Sequence, residues 1–522
     1  MKRKISAVAL LVASFGFAQT SFLQNKIPAG AVKESQKISK DLASSYYNIQ
    51  YYHQTAFDLN QDIKIPTAKN EIITAKLDKV YKYTNNSESY SYSIPNDPHA
   101  ELVLSKYDDV ITGMYVSGSG EKTMYHQVNN NTIAVSQVAE KSLIDQDSKN
   151  DTIIDENEIN NLINAKANSN ICNSTTAVCP STVIDVMVVY TTAASSAWGG
   201  NSQSNSYIAT AITNFNTALT NSGITNVRIN LVYSGAVSYT ESGNLSTDLA
   251  RLKATNDGYM DNVHSLRTTY GADLVSLVTS TPTNTCGLGY LNTSATNYVA
   301  TSGFNAVLYN CAVSNYSLAH EFGHNMGLRH DWYVDTSTTP CSHHHGYTNK
   351  VAITNGTSAT STQKWRTIMA YNDECSNAGI SCTRVNRWAN PSVNYNSSPT
   401  GIAIGSTKPA NEAFAFSRFA CVVAGFYAKP STLTNLSVKE RDEIIVKAKE
   451  FSIYPNPAKE SININTGNDD NYNFEIMNLS GQSLLKSNKK TIDLKGLPTG
   501  EYLLNIYDTK NTFITSKKFI VK

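Results

Sequence analysis

The chain of 522 residues is 41% hydrophobic and only 16% charged, with a formal net charge of +1. Such a length describes a multi-domain globular protein, and the near-balance of charge excludes the electrostatic footprint of a nucleic-acid or anionic-membrane binder. All eight cysteines (Cys172, Cys179, Cys286, Cys311, Cys341, Cys375, Cys382 and Cys421) fall in the central portion, so disulfides are expected in one domain, with a pairing that the sequence leaves open.

In chain order, Lys2, Arg3 and Lys4 precede an apolar run from Ile5 to Phe17, and Ala18 stands before Gln19. Residues 1–18 therefore read as a Sec signal peptide. The run is too short for a resident membrane helix, and no other stretch reaches the roughly eighteen apolar residues that a span needs. Residues 19–178 hold no metal-site pattern. Their last part, Asp145 to Glu158, is acidic and polar, and a low-complexity run around Ala165 to Thr176 marks a boundary. Asp147, Asp151, Asp155 and Glu158 fail the spacing of an EF-hand loop, so the stretch is expected to be solvated; calcium is compatible with it but not indicated.

From Val183 the pattern changes. Val183 to Tyr190 reads as a buried strand, and Ile208, Ile212, Phe215 and Leu219 recur at helical spacing. Val227, Ile229, Leu231 and Tyr233 alternate as a second strand. Leu245, Leu249 and Leu252, then Met260, Val263 and Leu266, mark a second helix with an interruption at Asp257-Gly258, and Asp273 to Thr279 forms a third strand. This βαβαβ order favours a twisted, mainly parallel sheet with crossover helices. Gly287 to Leu291 is expected as the edge strand, whose unpaired backbone can hold an extended peptide, and Ala306 to Tyr309 as another strand. A helix is expected over about 315–326, with Ser314 as its N-cap and Gly327 ending it in the left-handed conformation.

That helix carries His-Glu-Phe-Gly-His-Asn-Met-Gly-Leu-Arg-His, from His320 to His330. His320 and His324 lie four residues apart and project from one face of a helix. The turn at Gly327 lets His330 return to the same point. Three imidazoles suit zinc and leave a fourth position open for water, whereas structural zinc sites usually have four protein ligands. Glu321 adjoins a ligand without needing to be one, and it is placed to act as a base on that water.

The motif, followed by Thr367-Ile368-Met369-Ala370-Tyr371, resembles the metzincin clan of zinc endopeptidases, whose third histidine is followed by a methionine turn. Asp331 after the third histidine and the run Gly323 to Gly327 resemble the adamalysin (reprolysin) branch; Tyr371 resembles astacins and serralysins. With Gly271 to Val275 and Asn390-Pro391, the combination is most similar to bacterial reprolysin-like enzymes of the peptidyl-Asp metallopeptidase type, over roughly 180–427. The resemblance implies an α/β (α+β) catalytic domain with a twisted mixed sheet and active-site helix. It also implies that residues 19–178 are a propeptide that blocks the cleft, that zinc is held by His320, His324 and His330, and that Met369 forms a floor under the imidazoles. Tyr371 reads either as a zinc ligand or transition-state hydrogen-bond donor, or as a buried core tyrosine. Cys172 reads either as a thiolate on zinc in the zymogen or, in the favoured reading, as the partner of nearby Cys179. His343-His344-His345 is expected to be an exposed loop, because consecutive side chains point apart. Arg366, Arg384 and Arg387 are expected to be solvated or ion-paired, although one that projected inward would favour an acidic side chain after the cut bond.

Residues 428–450 form a polar linker. The last module, 451–522, opens with Phe451-Ser452-Ile453-Tyr454-Pro455-Asn456-Pro457 and contains Leu497 to Tyr502. It resembles the C-terminal sorting domain of the type IX secretion system, and alternation at Ile462/Ile464, Phe474/Ile476 and Leu504/Ile506 predicts a small antiparallel β-sandwich. The expected protein is a secreted zinc endopeptidase, with catalytic residues Glu321 and Tyr371, one catalytic zinc, protein or peptide substrates, and a catalytic domain over 179–427. The alternative is an extracellular binding or adhesion protein on a peptidase scaffold.

Overall fold

Met187 and Val189 are buried on one side of a strand and Val186, Val188 and Tyr190 on the other, because that strand lies in the middle of a sheet covered on both faces. It is β1 (Thr182–Thr191), and the sheet continues with β2 (Val227–Val237), β3 (Leu274–Thr279), β4 (Gly287–Tyr290) and β5 (Phe304–Leu308). β1 pairs in parallel with β2 and β3, β3 in parallel with β5, and β5 antiparallel with β4. The computed structural model describes residues 20–21, 23–33, 37–54, 58–139, 151–154, 172, 178–281, 285–295, 298–433, 435–440, 451–466, 471–478, 482–507, 509 and 513–522. The signal peptide therefore lies outside the described residues.

The expected crossovers are present. Helix α1 (Asn201–Asn221) connects β1 to β2, and its Ile208, Ile212, Phe215 and Leu219 enter the core on one face. Helices α2 (Leu245–Lys253) and α3 (Asn262–Tyr270) place Leu249, Leu252 and Val263 in the core on the other. The anticipated interruption separates α2 from α3; Asn244 caps the first by accepting from Thr247 N, and Gly271, at φ 60°, ends the second.

One expectation about the sheet needs correction. β4 is not the edge among the described residues: the strand Thr152–Ile153 lies parallel beside it, with Thr152 opposite Gly289 and Ile153 opposite Tyr290. The backbone groups that would take up an extended peptide are already paired.

Ahead of this sheet, strands Tyr46–Gln54, Ile72–Lys82, Glu88–Ile94, Asp97–Tyr107, Val110–Val116, Lys122–Asn129 and Thr132–Val138 form an antiparallel layer. It covers the polar side of α1. Ser206 donates to Ser105 O at 2.8 Å, Thr112 Oγ1 lies 2.9 Å from Ser206 Oγ and 3.2 Å from Thr210 Oγ1, and Tyr83 Oη lies 2.8 Å from Thr213 Oγ1. α1 is thus apolar towards the sheet and hydroxyl-rich towards this layer.

The cysteines form four disulfides, all within the central portion: Cys172–Cys341, Cys179–Cys421, Cys286–Cys311 and Cys375–Cys382. The expected Cys172–Cys179 pairing is wrong. Cys179 N is held by Ser417 O beside β1, which directs its sulfur to Cys421, while Cys172 lies against the loop after the histidine motif.

Residues 439–522 are a separate unit. Strands Ser452–Tyr454, Ser461–Asn465 and Thr491–Asp493 make one antiparallel sheet, and Ser483–Ser487, Asn473–Asn478, Gly500–Tyr507 and Phe513–Val521 another. Ile462, Ile464, Phe474, Ile476, Leu504 and Ile506, the alternating residues, share one core. Among the described residues no helix is long and apolar enough to cross a membrane.

Candidate metal centre

Helix α4 (Ser317–Asn325) carries the first two histidines. Its start differs from expectation: Ser314 donates back to Asn310 O, so Tyr316, at φ 57°, precedes the helix instead and no side chain caps it. Its end is as anticipated. Gly327 has φ 82°, and Gly327 N and Leu328 N close on His324 O and Gly323 O, each at 2.9 Å. The chain then reverses, and His330 faces the helix.

The three Nε2 atoms converge, His324 lying 3.1 Å from His320 and 3.0 Å from His330. The other ring nitrogens fix their state. His320 Nδ1 is 2.9 Å from Ile368 O and His324 Nδ1 is 2.8 Å from Leu328 O; a carbonyl only accepts, so each Nδ1 carries the proton and each Nε2 is a lone pair. Burial, stronger than the opposing pull of Asp151, pushes His320 down to about 3 and lowers His324. Neutral imidazoles with lone pairs aimed at one point repel unless a cation lies between them. Two nitrogens held ~2.0–2.1 Å from one tetrahedral metal stand about 3.3 Å apart, close to the separations found, so these residues fit a divalent metal.

A fourth group completes the cluster. Asp151, only 3% exposed, brings Oδ1 to 2.9 Å from His330 Nε2 and 3.5 Å from His324 Nε2, and Oδ2 to 3.2 Å from His320 Nε2. The solvated acidic stretch expected here is therefore not what Asp151 belongs to; Asp147, Asp155 and Glu158 lie outside the described residues. Burial would raise the Asp151 carboxyl, but His330 and the two neighbouring imidazoles hold it well below the usual carboxylate range. For His330 burial would lower the ring, and the Asp151 charge outweighs that and raises it. A signal was present in the sequence: Thr152-Ile153-Ile154 is a β-forming run inside a polar segment.

Glu321 is buried beside the cluster, against two glycines of β4. A Cβ at Gly287 would collide with its carboxylate, and one at Gly289 would stand 3.0 Å from Oε2. Met369 lies in the core against α4, its Sδ 2.7 Å from where a Cβ on Gly323 would be. The Tyr371 ring is 4.3 Å from that of His330, and its hydroxyl donates to Asp151 Oδ2. Asp331 steadies this turn by accepting from Tyr371 N at 2.9 Å and from Tyr333 N at 3.0 Å. Asn325 had no role assigned from sequence. Its amide donates to Tyr290 O, Ser302 O and Phe304 O at 2.7–3.0 Å, stitching α4 to β4 and β5.

Burial overturns two further expectations, the exposed loop at His343 to His345 and the solvated reading of the three arginines. His343, His344 and His345 are all buried: His344 Nδ1 reaches Gly327 O at 2.9 Å, His345 Nδ1 reaches His330 O at 2.6 Å, and His343 packs on Phe414. They do point apart, but each meets a different part of the interior. Arg366, Arg384 and Arg387 are buried too. Arg366 and Arg384 converge on Ala370 O in the methionine turn, and Arg387 donates to Asn221 O and stacks on Tyr395.

Residues 180–381 match the metallo-peptidase family M12, and residues 452–522 match the secretion system C-terminal sorting domain. The chain is 44% identical over 220 residues to a peptidyl-Asp metalloendopeptidase of Stenotrophomonas maltophilia, covering 42% of this chain and 48% of that one. It is 40% identical over 220 residues to one of Xanthomonas campestris, covering 42% and 47%. A third, from Pseudomonas fragi, is 33% identical over 174 residues, which cover 33% of this chain and 82% of that one. The chain spans about half the length of the first two relatives. With the histidine cluster and turn in place, the chain belongs to the reprolysin-like metallopeptidases of family M12.

Proposed function

We propose that the protein is a secreted, zinc-dependent endopeptidase made as a zymogen: residues 19–178 the propeptide, 179–427 the catalytic domain, 428–450 a linker, and 451–522 a sorting domain read by the type IX secretion machinery. The observation that carries the reading is the convergence of three imidazole Nε2 atoms, two of them lone pairs, beside the buried carboxylate of Glu321. His320, His324 and His330 would hold zinc, which when bound supplies Lewis acidity towards the scissile carbonyl and makes water a nucleophile near neutral pH. Glu321 takes a proton from the attacking water and returns it to the departing amine. Tyr371, freed from Asp151, would donate a hydrogen bond to the developing oxyanion.

The relatives' names support a preference for Asp next to the cut bond. Zymogen character is supported by the strand lying along β4 and by the polar face of α1: a hydroxyl-rich surface can be solvated when its cover leaves, where an apolar one would aggregate. The test is Glu321→Gln. It is expected to keep the bound metal and lose casein cleavage by about 10²- to 10⁴-fold; cleavage at the parent rate would refute the reading, as would activity that survives a chelator.

A further inference from the structure

We infer that Asp151 is the fourth ligand of the metal in the uncleaved chain, converting an open catalytic site into a closed one. This rests on the metal centre described above, and its regulatory consequence rests on the peptidase reading. Three observations carry it. The first is electrostatic: the Asp151 oxygens stand 2.9–3.5 Å from three Nε2 atoms, two of which are lone pairs by the partners of their Nδ1 atoms. A carboxylate buried against such nitrogens pays its desolvation unless a cation is shared among them. Oδ1 stands 2.9 Å from His330 Nε2 and 3.5 Å from His324 Nε2, so one carboxylate oxygen faces two ring nitrogens at once, as ligands of one ion do.

The second is positional. Gly289 N donates to Asp151 O and Leu291 N to Ile153 O, both at 2.8 Å, so the backbone clamps the segment on β4 in a register that delivers the carboxylate to the histidines. The third is that Asp151 also takes the Tyr371 hydroxyl. One residue thus occupies the water position, the edge that would hold a substrate, and the oxyanion donor. Cys172, the other candidate for a latency ligand, is committed to Cys341. The donor set, three imidazole nitrogens and one carboxylate oxygen, is a complete tetrahedral shell for zinc.

The experiment uses the full chain carrying Glu321→Gln, which prevents self-cleavage, loaded with cobalt(II) or with zinc. Asp151→Asn and Asp151→Ala are each expected to change the visible absorption spectrum of the cobalt form and to weaken zinc at least tenfold in competition with a chelator. With Glu321 intact, both are expected to cleave casein before processing. An unchanged spectrum and zinc affinity in the near-isosteric Asn variant would overturn the assignment, whatever the Ala variant does. The two readings fail separately. A spectral change with no casein cleavage by variant or processed chain leaves the ligand in place and removes the peptidase; cleavage by the processed chain with an unmoved spectrum does the reverse.

Discussion

Glu321 depends on what its neighbours lack. Its carboxylate lies in space that Gly287 and Gly289 leave by having no side chain, on the strand that also lines the cleft. A methyl group at Gly287 has to move either the strand or the carboxylate, and a displacement of about 1 Å from a working geometry can cost 10²-fold in rate. Gly287→Ala is therefore expected to lower kcat by about 10- to 100-fold while zinc content stays at that of the parent. Atomic absorption and casein kinetics check this; a variant with parental kcat would show that Glu321 is free to shift. The triple histidine teaches the converse. Consecutive side chains suggested an exposed loop, yet each imidazole is buried, and two of them reach the carbonyls of Gly327 and His330.

At the scale of elements, the site is made accurate by how α4 is seated. Asn325 spends its amide on three carbonyls of the β4–β5 region and accepts from Asn305 Nδ2 at 2.8 Å, so one side chain fixes the helix against both strands. Asn325→Leu keeps the size and leaves these buried groups without that partner. It is expected to cost about 3 kcal/mol, from losses of ~1–3 kcal/mol for each buried polar group left unmet, seen as a lower denaturant midpoint; a loss under about 1 kcal/mol would mean the groups find other partners. α4, β1 to β5 and the crossover helices were all legible in the periodicity, because their apolar residues face two continuous cores. The start of α4 was not. Ser314 has the right chemistry for a cap, but a short helix at Tyr309–Ala312 turns its hydroxyl back to Asn310.

For the whole molecule, the two units have separate cores. Calorimetry of the full chain is expected to show two transitions, and a chain ending at residue 438 to keep the larger one unshifted. A single transition, or a shift of several degrees on truncation, would show that the units fold as one. The disulfides add a constraint on maturation: Cys172–Cys341 ties the segment after Asp151 to the loop that follows the motif. A cut between Cys172 and Cys179 alone would leave Asp151 covalently tethered, so on the zymogen reading its release calls for a cut between Asp151 and Cys172 or for reduction.

The sequence by itself determined the histidine motif, the helix that carries it, the order of the strands and the sorting domain at the end. These are written in local spacing: four residues bring two histidines to one face, and alternation assigns a strand its buried side. Only the tertiary structure decided what Asp151, the cysteines and the buried arginines do. Asp151 and His320 are separated by 169 residues, and a contact at that range has no periodicity; an aspartate in a polar run reads as solvated until the fold lays it against three imidazoles. The histidine motif could be read because its partners are neighbours in the chain, and the group that closes it could not, because its partners are neighbours only in space.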